Sequence, residues 1–146
     1  MENTQVRTVW TNGCFDLLHA GHVTFLQQAA TLGTLTVFLN SDDSIRSLKG
    51  AERPIVPVAY RRKMLEALRC VAYVHVFDGP NPCALWTTMA PAAPSLYVKD
   101  SECDIVNSEE GRWMLSKGIA LTVLPRLPDI STTQIIAKIR EQGRVS

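Results

Sequence analysis

Apolar segments that read alternately as strands and as helices predict an α/β fold, a three-layer, doubly wound sandwich on a five-stranded parallel sheet. Two further observations agree. The 146 residues fit one domain spanning residues 1–146, since domains typically run ~100–150 residues. No internal repeat, low-complexity tract or linker divides them.

Thr8 to Thr11 reads as the first strand and His22 to Thr31 as an amphipathic helix, stopped by Gly33. Leu35-Thr36-Val37-Phe38-Leu39 is a buried second strand. Asn40-Ser41-Asp42-Asp43 caps a short helix ending near Leu48, because such side chains accept bonds from free helical N–H groups. Lys49 to Pro57, with two prolines and a glycine, is a loop. Val58 to Leu68 is helical, with Met64, Leu65 and Leu68 on one face, and Val71 to Phe77 is the third strand. Asp78-Gly79-Pro80-Asn81-Pro82 turns into a helix through Met89. Leu96-Tyr97-Val98 and Ile119 to Leu124 are the fourth and fifth strands. Ser131 opens a last helix with Ile135, Ile136 and Ile139 at helical spacing. The succession is that of a single-domain, Rossmann-like sheet, whose ligands sit beyond the strand carboxyl ends at the topological switch point.

Composition narrows the function. The chain is 46% hydrophobic and 20% charged, with a net charge of +1, which gives no bulk attraction to nucleic acid or a membrane. Cys14, Cys70, Cys83 and Cys103 form no CxxC pair, arguing against a zinc site or a disulfide framework. Met1 to Thr8 is polar and no run of about eighteen apolar residues exists. The reduced cytoplasm is the expected compartment, and any anion site must be built locally.

Thr11-Asn12-Gly13-Cys14-Phe15-Asp16-Leu17-Leu18-His19-Ala20-Gly21-His22 supplies one. Two imidazoles at a strand-to-helix turn can donate to phosphate oxygens and stabilise charge that develops in phosphoryl transfer. Gly21 lets backbone approach a ligand, and His22 begins a helix whose N-terminus favours an anion. HxxH offers only two metal ligands, so no protein metal site is expected. Ser131, Thr132 and Thr133 bring three hydroxyls to a second helix N-terminus, more than capping alone requires. On its own chemistry Asp16 reads as bracing the turn through a backbone bond. Trp10 and Trp86 read as core residues, and Trp113 as a core residue or a lining of the binding pocket. Lys49, Arg53, Arg61 and Arg126 are the basic candidates.

The run Thr11 to His22 resembles the HxGH signature of the nucleotidyltransferase superfamily, which includes glycerol-phosphate cytidylyltransferases and heptose-phosphate adenylyltransferases. The resemblance covers nearly the whole chain. Asn40-Ser41-Asp42, Leu48-Lys49-Gly50 with Arg53-Pro54, Arg61 before Leu65-Glu66-Ala67-Leu68, and Ile130-Ser131-Thr132-Thr133 (the ISTT signature) follow in order. It implies transfer of a nucleoside monophosphate from a nucleoside triphosphate to a small phosphorylated or phosphonate acceptor, with release of pyrophosphate. His19, His22, Lys49 and Arg126 would be catalytic. Thr11 to Asp16, Gly21 and Ile130 to Thr133 would hold the nucleotide, and Arg53, Arg61 and Lys99 the acceptor. For Asp16 the resemblance implies support of the phosphate or metal site, as the alternative to bracing the turn. Cys14, at a position held by threonine in related cytidylyltransferases, is expected to be non-catalytic, since no dedicated base accompanies it.

Mg2+ would arrive with the triphosphate, and the relatives imply a homodimer. Arg126 resembles the arginine of the cytidylyltransferase signature RTEGIST and favours CTP. The Lys49 loop and the Asp78–Pro82 region resemble heptose-phosphate adenylyltransferases and favour ATP. The expectation weighs toward CTP, with an ATP-using sugar-phosphate adenylyltransferase second and a non-catalytic nucleotide-binding regulator third. Both groups usually carry a glycine after the fourth strand, as in KGGD or MGDD. This chain has Lys99-Asp100-Ser101-Glu102-Cys103-Asp104 instead, which puts added negative charge beside an anionic acceptor.

Overall fold

Strand β1 (Thr8–Gly13) is buried along its middle four residues, as befits a central strand. In the computed structural model, which describes residues 6–144, it is followed by α1 (Ala20–Ala30), β2 (Thr34–Asn40), α2 (Asp42–Lys49) and α3 (Val58–Glu66). Then come β3 (Tyr73–Phe77), α4 (Cys83–Met89), β4 (Leu96–Asp100), α5 (Glu109–Ser116), β5 (Ala120–Leu124) and α6 (Thr132–Gln142). Part of the polar Met1–Thr8 stretch and the last two residues lie outside the described residues.

The five strands form one parallel sheet in the order β3-β2-β1-β4-β5. Side chains alternate across it, so each strand feeds two cores. Val9, Val37, Leu39 and Val98 join Leu26 and Ala29 of α1 and Leu65 of α3 on one face. Trp10, Phe38 and Tyr97 join Trp86 of α4 and Met114 of α5 on the other. This is the expected three-layer α/β sandwich. The chain leaves β1 toward β2 and β3, then returns to place β4 on the other side of β1. The switch point therefore lies between β1 and β4.

Three differences from the sequence reading have physical causes. Helix α1 starts at Ala20, not His22, because the His19 imidazole serves as its N-cap and accepts the Gly21 N–H at 3.0 Å. Strand β1 runs on to Gly13, paired with Leu39. Helix α5 was not read at all. Its Gly111 looks like a helix breaker, yet a Cβ there would lie 1.6 Å from the Ile105 carbonyl oxygen, so packing requires the glycine. Ser108, which accepts the Gly111 N–H, and the acidic Glu109 and Glu110 were the available start signal.

Among the described residues no helix is long and apolar enough to cross a membrane.

Candidate active site

A cleft of about 300 Å³ opens at the carboxyl ends of β1 and β4, where the switch-point rule puts a ligand. Every residue expected to be catalytic or to hold the nucleotide or the acceptor lines it except Arg61. Asp100, from the segment expected beside the acceptor, also lines it, as do Phe25 and Leu127, which the sequence did not single out. Phe25 sits one helical turn after His22, which is the signal that could have found it.

The turn between β1 and α1 is held in an unusual backbone conformation. Phe15 and Leu17 both adopt positive φ, at 47° and 51°. For bulky residues this is costly and persists only when surrounding contacts over-determine it. Asp16, between them, supplies those contacts. Its carboxylate, 2% exposed, accepts the Ile55 N–H at 2.8 Å, the Val56 N–H at 2.9 Å and Arg53 Nε at 3.2 Å. Its main-chain carbonyl accepts the Thr132 hydroxyl at 2.6 Å. Of the two readings open for Asp16, the geometry supports bracing, but of a distant loop and of α6 instead of its own turn.

The two histidines are arranged as a pair. Their rings stack with centroids 3.8 Å apart. His19 Nδ1 accepts the Gly21 N–H, and His22 Nδ1 accepts the His19 N–H at 3.2 Å. An Nδ1 that accepts a main-chain N–H leaves the proton of the neutral ring on Nε2. Each residue can thus offer the cleft an Nε2–H donor. Burial, followed by the charges of His19, Lys49 and Arg126, lowers the His22 pKa to about 4, against a smaller opposing effect of Asp16. Burial and then Arg126 lower that of His19. Both rings are neutral donors near pH 7.

Gly21 is also needed for this pair. A Cβ on Gly21 would sit 2.8 Å from His19 Cε1 and 3.2 Å from Ile130 Cγ2.

Across the cleft, α6 presents its N-terminus. Ser131 accepts the Gln134 N–H at 3.1 Å as an N-cap, and the Thr132 hydroxyl is given to Asp16. Among the described residues the Thr133 hydroxyl has no such partner, and Ser131, which only accepts as the cap, keeps its O–H, so two of the three expected hydroxyls remain able to donate to a ligand. Thr11 is buried, with its hydroxyl donated to Val98 O at 2.8 Å, tying β1 to β4. The Asn12 side chain turns to the Tyr97 hydroxyl and to Glu110, while its carbonyl accepts Lys99 Nζ at 2.7 Å. Lys49 ends α2 at the cleft, and Arg126 stands at the rim, bonded to Glu102 Oε2 at 2.6 Å.

One sequence expectation is not met in space, and of the two readings open for Trp113 the core one holds. Arg61 is 1% exposed and lies away from the cleft. Its guanidinium donates to Val56 O at 2.8 Å, Cys14 O at 2.9 Å, Asn40 O at 2.8 Å and Asp42 Oδ1 at 2.7 Å. It stitches the motif turn to β2, α2 and the loop before α3 and is not part of the cleft lining. Trp113 packs on Trp86, with centroids 5.2 Å apart, and does not line the cleft.

The cytidylyltransferase-like family description matches residues 10–138. The bifunctional protein HldE of Geotalea uraniireducens is 44% identical over 92% of this chain, and that of Halorhodospira halophila 42% identical over 94%. The chain spans little more than a quarter of their length, 27% and 28%. Among solved structures, a lipopolysaccharide core biosynthesis protein from Thermoplasma volcanium GSS1 superposes with a TM-score of 0.66 at 21% identity, covering 84% of this chain and 98% of that one. That likeness supports the fold.

The expected preference for CTP is corrected by these relatives, which fall on the heptose-phosphate adenylyltransferase side of the resemblance. The physical reason is plain in the cleft. The expectation rested on Arg126, and a guanidinium reads phosphate oxygens, which every nucleoside triphosphate shares. With its switch-point cleft, its paired histidines and a match over residues 10–138, this chain belongs to the cytidylyltransferase-like family.

Proposed function

We propose that the chain is an adenylyltransferase that moves AMP from ATP to the phosphate of a small, heptose-like sugar phosphate and releases pyrophosphate. The observation that carries this reading is the convergence on one cleft of two neutral Nε2–H donors and the N-termini of α1 and α6. The resemblance to heptose-phosphate adenylyltransferases supplies the choice of ATP and sugar.

The acceptor's phosphate oxygen attacks the α-phosphorus in line. A P–O bond forms there as the bond to the β-phosphate oxygen breaks and pyrophosphate leaves. The nucleophile is already ionised, so no base or covalent intermediate is needed. The protein's task is to hold two mutually repelling anions in register and to stabilise charge as it redistributes. His19 and His22 donate to the phosphate oxygens near the reacting phosphorus. Lys49 and Arg126 neutralise the rest of the triphosphate, and the Thr133 hydroxyl adds a donor. Lys99 and Arg53 face the acceptor.

Among the described residues no group of three His, Cys, Asp or Glu side chains converges, and both Asp16 oxygens are already bonded. Mg2+ in this proposal travels with the triphosphate. The chain acts on small molecules in the cytoplasm as a homodimer, apart from nucleic acid and membranes.

The test is pyrophosphate release with each of the four ribonucleoside triphosphates and a panel of sugar phosphates. Turnover with ATP and a heptose-like phosphate is expected. Tight ATP binding without turnover on any acceptor would replace the enzyme with a nucleotide-binding regulator.

A further inference from the structure

Arg126 Nη1 bonds Glu102 Oε2 at 2.6 Å on the rim of the cleft, with both side chains part-exposed. Glu102 belongs to the turn after β4. The turn is set by its own bonds. Asp100 Oδ1 accepts the Glu102 N–H at 3.0 Å, and the Asp100 carbonyl accepts the Cys103 N–H at 3.1 Å. Lys99, on the same side of the cleft, is likewise engaged, on the Asn12 carbonyl. Both cations of that side therefore already hold an acceptor.

The two engagements differ in kind. Lys99 bonds a part-buried main-chain carbonyl, whereas Arg126 holds a solvated carboxylate, the chemical likeness of a phosphate oxygen. An exposed ion pair contributes about 0–1 kcal/mol, so a multiply charged anion can displace it. Arg126 is also close enough to the histidine pair for its charge to lower the pKa of both rings.

We infer that Glu102 is a positioning residue for the polyphosphate. Its carboxylate holds the Arg126 guanidinium at the rim in place of substrate oxygens, yields it when the polyphosphate binds, and reclaims it as pyrophosphate leaves. The inference rests on reading the cleft as a triphosphate site. Its consequence is a nucleotide bound less tightly, and a pyrophosphate released more readily, than the cleft's cations alone would give.

Titration calorimetry with inorganic tripolyphosphate and with pyrophosphate tests it on wild type, Glu102→Gln, Arg126→Gln and the double variant. Glu102→Gln is expected to bind both anions about three- to fivefold tighter. The same change in the Arg126→Gln background should leave binding unaltered, because Glu102 acts through that guanidinium. In turnover, Glu102→Gln should lower the KM for ATP without raising kcat. Unchanged or weaker binding by Glu102→Gln, or an equal gain in both backgrounds, would overturn the inference while leaving the cleft reading intact. Wild-type protein that binds neither tripolyphosphate nor ATP would overturn both.

Discussion

The His19 imidazole caps α1 by accepting the Gly21 N–H, while the His22 imidazole accepts the N–H of His19 itself. This reciprocal arrangement fixes the tautomer of both rings and leaves each with one outward donor. It requires both rings to be neutral, and the lowered pKa values fit that requirement.

A pH dependence follows with a definite sign. Folded His22 stays neutral down to about pH 4, whereas an unfolded histidine takes its proton near 6.5. Between those values the unfolded chain binds more protons, so this contribution to stability is fully present above 6.5 and is lost as pH falls toward 4. NMR titration of the ligand-free protein should show the His22 ring protonating near pH 4, and a midpoint near 6.5 would refute the neutral-donor geometry. Replacing either histidine by alanine should raise the barrier by about 2.7–4 kcal/mol if it acts as an oxyanion-type donor. A near-normal kcat/KM would remove that residue from the mechanism.

Gly21→Ala separates site geometry from stability. Alanine favours helix over glycine by about 1 kcal/mol, so the urea midpoint should hold or rise. The added Cβ would nevertheless push on His19 and Ile130 from opposite chain segments. A displacement of a positioned donor by about 1 Å can cost a hundredfold in rate, and a fall in kcat/KM of that order is expected. Full activity in a well-folded variant would show that the His19 ring can shift without consequence.

Asp16→Asn should destabilise the protein. The substitution removes the charge that partners Arg53 and turns an amide donor toward the Ile55 or Val56 N–H. Breaking a buried ion pair and leaving a buried donor unmatched costs about 3 kcal/mol or more. Because Asp16 also anchors the loop that follows Lys49, the KM for ATP should rise as well. Chemical denaturation and steady-state kinetics on one preparation check both effects, and wild-type stability would contradict the bracing role.

Arg61→Lys distinguishes a structural arginine from an acceptor-binding one. A lysine cannot reproduce four bonds made in three directions from one planar group, and the loss should be about 3 kcal/mol. The KM for the sugar phosphate should stay within about twofold, since no donor of Arg61 faces the cleft. A selective rise in acceptor KM without loss of stability would return Arg61 to the acceptor site.

Much of this protein can be read along the chain, because the relevant signals span only a few residues. Alternating apolar runs announced the five strands, Ser41 and Ser131 announced two helix starts, and the two histidines marked the end of β1 where the cleft opens. Those signals sufficed for the fold class and for the neighbourhood of the site. Partners tens of residues apart were not legible. Asp16 meets Ile55 and Val56, and Arg61 meets Cys14 and Asn40, across the carboxyl ends of β1 and β2, and Glu102 meets Arg126 because β4 and β5 pair in parallel with Asp100 beside Leu124. A carboxylate or guanidinium carries the same charge in any sequence. Whether it braces a loop, fills a core or waits for a ligand depends on which acceptors and donors the folded sheet brings within about 3 Å of it.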